Sequence, residues 1–164
     1  MKARFAVVTL LCACFLSGCM RVAHFYPVQG PLAAQTPPPI YTGKMTGVIN
    51  SGRISAKLAS GQQFSGQWQA QSVGALAKES SAGVVPPFNL SAEWDAVYGP
   101  GFHTAHVLGA HLFVRTTLKG EQGGTLQVEM ISQPVETADA KDVAAPTIRG
   151  VARDENGNVY KVAF

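Results

Sequence analysis

Apolar and polar residues alternate with a period of two along much of the chain after residue 44. Ile54, Ala56 and Leu58, for example, alternate with Arg53 and other polar neighbours. The runs with this alternation are residues 53–58, 63–70, 108–118, 126–130, 147–153 and 159–164. A period of two with one apolar face is typical of half-buried antiparallel strands. The pattern therefore predicts an all-β fold, a small antiparallel sandwich or barrel of six to eight strands.

The segments between these runs predict tight turns and few helices. Asn156-Gly157 separates the last two runs and is a strong hairpin signal. Residues 91–100 favour a short helix, with Ser91 as N-cap and Gly99-Pro100 at the end. Residues 74–81 are rich in alanine and fit a helix or a loop equally well. We therefore expect at most one or two short helices.

The N-terminus has a different pattern from the rest of the chain. Met1-Lys2-Ala3-Arg4 is basic, and residues 5–16 form an apolar run of 12 residues broken only by Thr9. This run is too short to span a bilayer, which needs about 20 apolar residues. A basic segment followed by a short apolar run is typical of a secretory signal peptide.

Leu16-Ser17-Gly18-Cys19 closes the apolar run. This sequence resembles the lipobox of bacterial lipoproteins. The resemblance implies that Cys19 receives a diacylglycerol, that residues 1–18 are cleaved off, and that the freed amine is acylated, with palmitate among the chains. Two or three acyl chains anchor a protein durably, whereas one binds only marginally. The alternative is an ordinary secreted protein, or an uncleaved anchor, with a chance cysteine here.

The residue after the lipobox bears on the destination. In lipoproteins an Asp at this position often signals retention in the inner membrane, and here the residue is Met20. The resemblance therefore implies a lipid-anchored protein of the bacterial cell envelope, at the periplasmic face of the outer membrane. Beyond the lipobox, the domain looks like the small β-rich envelope lipoproteins.

Cysteine count and charge change their meaning once the signal peptide is set aside. The chain has 3 cysteines and a formal charge of +3. Cys12 and Cys14 leave with the signal peptide and Cys19 becomes a thioether, so no thiol remains for a disulfide or a zinc site. Lys2 and Arg4 leave as well, which lowers the charge to +1 with eleven basic residues against ten acidic ones. We therefore expect no nucleic-acid partner.

Residues 19–43 are rich in proline, including Pro37-Pro38-Pro39. Proline cannot donate a backbone hydrogen bond, and a triple proline favours polyproline II. This composition predicts a lipidated tether over residues 19–43, which at about 3.1 Å per residue would reach roughly 75 Å. The β domain then comprises residues 44–164. The alternative is that aromatic and apolar residues of this segment pack back onto the domain; these are Phe25, Tyr26, Ile40 and Tyr41.

Three histidines at short spacing, His103, His106 and His111, are the most obvious candidate metal ligands. On a single strand His106 would point to the face opposite His111. His103 would lie on the same face as His111 but roughly 26 Å away, at about 3.3 Å per residue. We therefore expect no metal site and no cofactor.

Aromatic residues beside glycine and proline form the remaining candidate site, a binding loop of Trp94, Tyr98, Phe102 and His103. Such a loop could stack on a sugar or grip a peptide. The alternative is that these residues cap one end of the β core. No serine lies in a Gly-x-Ser-x-Gly motif. A hydrolase acting through His103 and Asp95 is the third hypothesis, and we expect that the protein is not an enzyme.

Two functional hypotheses follow. The first is a non-catalytic envelope lipoprotein, held to the membrane by lipid on Cys19, whose β domain binds an envelope protein or peptidoglycan or supports envelope structure. The alternative is a carrier of a small apolar ligand, because a closed barrel of about eight strands can just hold one small ligand.

Overall fold

The computed structural model describes residues 19–48, 50–58, 61–72, 74–83, 85–133 and 146–164. The predicted signal peptide, residues 1–18, lies outside the described residues. Eight strands make up the fold: β1 (Cys19–Gln29), β2 (Tyr41–Val48), β3 (Ser51–Lys57), β4 (Gln63–Ser72), β5 (Leu112–Gly120), β6 (Thr125–Gln133), β7 (Thr147–Asp154) and β8 (Val159–Ala163).

The strands form one closed antiparallel barrel in sequence order. Each strand pairs with the next, and β1 pairs with β8 to close the ring, with His24 opposite Ala163. The predicted all-β architecture is confirmed, and of the two predicted arrangements the structure is the barrel. The Asn156-Gly157 hairpin joins β7 to β8 as predicted, with Gly157 at a φ of 77°.

The barrel interior is an apolar core supplied by the predicted alternation. Ile54, Ala56 and Leu58 are buried, as are Phe64 and Trp68 on the next strand. The other strands contribute inward side chains in the same way: Leu118, Leu126, Val128, Met130, Ala152, Tyr160 and Val162. The period-two pattern therefore identified the inward faces of β3, β4, β5 and β6, for which it distinguished an apolar from a polar face.

The predicted tether is wrong for most of its length. β1 covers Cys19–Gln29, pairing with β2 and β8, and β2 begins at Tyr41. Phe25 and Tyr41 are buried in the barrel core, so for these two residues the alternative of packing back onto the domain was correct. Pro27 fits because it lies at a register shift between β1 and β8, where a residue without an N–H is tolerated.

A helical cover (residues 74–83 and 85–111) lies between β4 and β5 and packs on the outer wall of β5, β6 and β7. It contains α1 (Ala75–Ser81), α2 (Ser91–Tyr98) and a π-helical turn (His103–Val107). The residues that bury it against the wall are apolar on both sides: Leu76, Phe88, Leu90, Trp94, Val107 and Ala110 from the cover, and Phe113, Ile131 and Val151 from the strands. The barrel thus has a second core outside its wall.

Three local predictions in this region need correction. The N-cap of α2 is Leu90, not Ser91, and the Ser91 N–H is bonded to Asn89 Oδ1 at 2.7 Å. The strand predicted from Leu108 begins at Leu112, because the preceding residues turn as a π-helix. Among the described residues, that π-helical turn is a third short helical segment, one more than expected.

A polar network at one end of the barrel, the base, is centred on the buried Asp154. Its carboxylate accepts hydrogen bonds from the backbone N–H groups of Asn156 and Asn158, from the Asn158 amide and from the Tyr160 hydroxyl, at 2.8 to 2.9 Å. Asn158 Oδ1 also accepts from the Leu32 N–H at 3.0 Å, which holds the β1–β2 loop across the base. Burial, aided by Asp154, raises the pKa of Tyr160.

Candidate functional site

The other end of the barrel, the mouth, lies where β1, β5 and β7 begin and β2, β4 and β6 end. Cys19 pairs with Gly47 at this end, close to the β2–β3 turn. Ser72 pairs with Leu112, and Ser132 with Ile148, on the other side of the mouth. The predicted lipidation site is therefore at the rim of the mouth.

A cavity of about 260 Å³ opens at the mouth. Most of the residues that line it are apolar and come from five strands: Met45, Trp68, Ala70, Leu112, Val114, Met130, Ile131 and Ile148. The Trp68 indole N–H donates to the Thr46 carbonyl at 3.1 Å, so the ring can lie against the cavity without an unsatisfied donor. The cavity is a site for a mainly apolar group.

The space arises from a change in the size of the inward side chains along the barrel. Near the base, Phe25, Tyr41 and Tyr160 fill the interior, with edge-to-face ring contacts at centroid distances of 6.3 and 6.4 Å. Near the mouth, Ala70 supplies only a methyl group at an inward position, and the ring of Trp68 packs against Gly47. Because protein interiors are otherwise close-packed, the small side chain of Ala70 leaves part of the mouth unfilled.

Arg21 is the charged residue among those that line the cavity. It shares the inward phase of β1 with Ala23 and Phe25, which are buried, but it lies nearer the rim and is exposed. In the part of the chain that the structure describes, no carboxylate lies within ion-pair distance of its guanidinium. As far as the described residues show, the cavity combines apolar walls with a cation at its edge, a combination that the sequence analysis did not predict.

The outward face of β1 beside Cys19 is apolar and exposed. Met20 and Val22 have 59% and 45% of their surface exposed. Single exposed apolar residues are ordinary on protein surfaces. These two, however, follow the predicted lipidation site directly and lie at the same end of the barrel as the cavity mouth.

The predicted aromatic binding loop packs on the side wall of the barrel. Trp94 is fully buried and donates to Glu129 Oε2 at 2.8 Å, so it cannot contact a ligand, and its assignment to a binding surface is wrong. Tyr98 stacks on Phe102 with ring centroids 4.7 Å apart, and its hydroxyl donates to the Gly150 carbonyl at 3.2 Å. The cluster thus attaches the cover to the outer wall of the barrel. The alternative prediction, that these residues cap one end of the β core, placed them at the wrong part of the barrel.

His103 lies half-buried in the cover and borders a second cavity of about 220 Å³ with Glu79, Asn89 and Arg115. Burial lowers the pKa of His103. The Asp95 carboxylate accepts the backbone N–H of His103 at 2.9 Å, a bond that closes the turn after α2. Because the carboxylate is bonded to the backbone, this contact does not orient the imidazole as a general base would require.

Two other features of functional interest are absent from the described segments. No group of three or more His, Cys, Asp or Glu side chains there is placed to hold a metal ion. Nor does any helix in these segments combine the length and hydropathy that crossing a bilayer requires. Comparison with protein-family models, curated proteins and solved structures found no match to the chain.

Proposed function

We propose that this protein is a lipid-anchored, non-catalytic component of the bacterial cell envelope whose barrel carries a small apolar ligand in the mouth cavity. The cavity is the observation that carries this proposal. It favours the carrier hypothesis over binding of an envelope protein or peptidoglycan and over a structural role.

The size and lining of the cavity support a ligand of modest dimensions. An apolar cavity of roughly 150 Å³ is large enough to bind benzene. The mouth cavity, at about 260 Å³, is larger and has tryptophan, methionine and branched aliphatic walls. Burial of a ligand's apolar surface contributes roughly 25 cal/mol per Å².

The anchor rests on the lipobox resemblance at Cys19, with palmitate among the acyl chains, at the periplasmic face of the outer membrane. The structure bears on how the anchor would act. Because β1 starts at Cys19, lipid on this residue would hold the mouth close to the bilayer, with the exposed Met20 and Val22 beside it. An apolar ligand could then pass between bilayer and cavity with little exposure to water.

Replacing Cys19 with Ser tests the anchor. We expect loss of palmitate labelling and loss of the protein from the outer-membrane fraction, because position 19 no longer has a thiol to carry the diacylglycerol. The measurement is metabolic labelling with palmitate followed by membrane fractionation. The control is Ser51→Ala, an exposed change elsewhere on the mouth side of the barrel. A Cys19→Ser protein that still takes up label would contradict the anchor.

Replacing Ala70 with Phe tests the carrier function. A ring in place of this small side chain would fill part of the cavity, so we expect about tenfold weaker binding of a ten-carbon alcohol or acid, equivalent to roughly 1.4 kcal/mol. Binding can be measured by quenching of tryptophan fluorescence with a bromine-labelled ligand, since Trp68 lines the cavity.

The matched control is Gln69→Phe, which adds the same ring at the neighbouring exposed position on the outer wall. This variant should bind as the unmodified protein does. Equal loss in both variants, or no binding by the unmodified protein, would contradict the carrier proposal.

A further inference from the structure

We infer that the mouth cavity selects a single-chain amphiphile with an anionic head group, such as a fatty acid or an alkyl phosphate, and that Arg21 binds the head. This inference rests on the proposed carrier function and adds the class of ligand and a specificity-determining residue.

The placement of Arg21 carries the inference. It occupies an inward position of β1, so it belongs to the cavity and not to the outer wall, and it lies at the rim where water reaches it. Apolar side chains continue from this point into the barrel. A ligand that satisfies both regions has a charged end at the rim and an apolar chain inside.

The charge at the rim determines the sign of the head group. Guanidinium binds carboxylate and phosphate through two parallel hydrogen bonds, and such charge-assisted bonds are stronger than neutral ones. Among the described residues, none that lines the cavity is acidic, and Arg21 has no ion-pair partner there to displace. A cationic head would meet an uncompensated positive charge, and a neutral head would leave the guanidinium without an anion.

The volume limits the apolar part to one chain. About 260 Å³ is near the lower limit of roughly 300 Å³ for pockets that enclose drug-sized molecules. The cavity therefore accommodates a segment of one acyl chain and excludes the paired chains of a bilayer phospholipid. Arg21 is two residues from Cys19, about 7 Å along the strand, so a head bound there would stay near the membrane surface.

The experiment compares ten-carbon ligands that differ only in the head. The full chain carrying Cys19→Ser, which has no acyl chain of its own, is kept in a surfactant with fluorinated tails. Binding of 10-bromodecanoate is followed by the quenching of Trp68 fluorescence. Decanoate, decyl phosphate, decanol and decyltrimethylammonium are then used as competitors. The two anions separate a preference for carboxylate from a preference for phosphate.

We expect at least one of the anions to bind about tenfold more tightly than decanol, and the cation to bind more weakly than decanol. Arg21→Gln should abolish this preference by weakening binding of the anions to the level of decanol, and Arg21→Lys should retain part of it. The control is Arg53→Gln, which removes the same charge from the exposed outer face of β3 and should leave the preference unchanged. Thermal unfolding of each variant checks that the barrel is intact.

The outcomes separate the inference from the proposal beneath it. If decanol and the anions bind equally, or if Arg21→Gln and Arg53→Gln behave alike, Arg21 does not select the ligand, although the cavity still carries one. If no ten-carbon ligand quenches Trp68, both the inference and the carrier function fail. A Trp68→Phe variant that is quenched as strongly would show binding outside the cavity and would overturn the inference.

Discussion

Replacing Arg115 with Met should lower the free energy of unfolding by about 3 to 5 kcal/mol, the cost typical of removing one partner from a buried ion pair. Arg115 Nε donates to Glu129 Oε1 at 2.9 Å, and the Glu129 side chain is 0% exposed. Without the guanidinium the carboxylate keeps the Trp94 N–H at 2.8 Å but loses its cation. A buried charge without a counter-charge is among the largest single sources of destabilisation.

Chemical denaturation measures the change in the free energy of unfolding. Two further variants test whether the unpaired buried charge causes it. Arg53→Met removes an exposed arginine from the outer wall and should change stability by no more than about 0.5 kcal/mol. Arg115→Met combined with Glu129→Gln should recover most of the loss, because the neutral amide oxygen still accepts from Trp94. If the double variant is no more stable than Arg115→Met alone, the unpaired charge is not the cause.

Replacing Asp154 with Ala should cost at least about 3 kcal/mol, because its carboxylate accepts four hydrogen bonds and bonds to a charged group are worth about 1.5 to 3 kcal/mol each. The contributions are not additive, so the expected loss is well below their sum. The change leaves buried donors of Asn158 and Tyr160 without an acceptor. It also frees Asn158, which holds Leu32 across the base.

Thermal or chemical unfolding measures the loss of stability in Asp154→Ala. Variants of two nearby residues are measured for comparison. Tyr160→Phe removes one of the four donors and should cost about 1 kcal/mol. Glu155→Ala changes the adjacent exposed carboxylate, which has one exposed bond to Thr125, and should cost no more than about 0.5 kcal/mol. An Asp154→Ala protein as stable as Tyr160→Phe would mean that the network does not hold the base together.

The sequence predicted strands well wherever one face alone is apolar. Ile54 and Ala56 on β3 and Leu126 and Val128 on β6 all point inward, as their alternation indicated. β1 was missed because its two faces cannot be told apart by polarity. The inward phase includes the charged Arg21, and the outward face carries the apolar Met20 and Val22, so the pattern indicates only an irregular, proline-containing segment.

The cavity could not be predicted for a different reason. It depends on which inward side chains share one level of a closed barrel, and Ala70 on β4 and Val114 on β5 are brought together only by the register of the strands. Arg21 likewise could be assigned to the cavity only after the structure showed that it occupies an inward position of β1. The aromatic cluster around Trp94 was misinterpreted for the same reason. Its composition is typical of a binding loop, and only the fold shows that it packs against the outer wall of β5 to β7.

The closure of the barrel has a consequence for the order of folding. His24 pairs with Ala163, about 140 residues later, so the ring cannot close until nearly all of the described chain is available to fold. Contacts so distant in sequence form slowly, because the entropy of closing the intervening loop must be overcome first. Until then β1 has β2 on one side and an open edge on the other, and strand edges of this kind are prone to wrong pairing. Fixing β1 to a membrane early would keep the open edges of neighbouring copies apart during that interval.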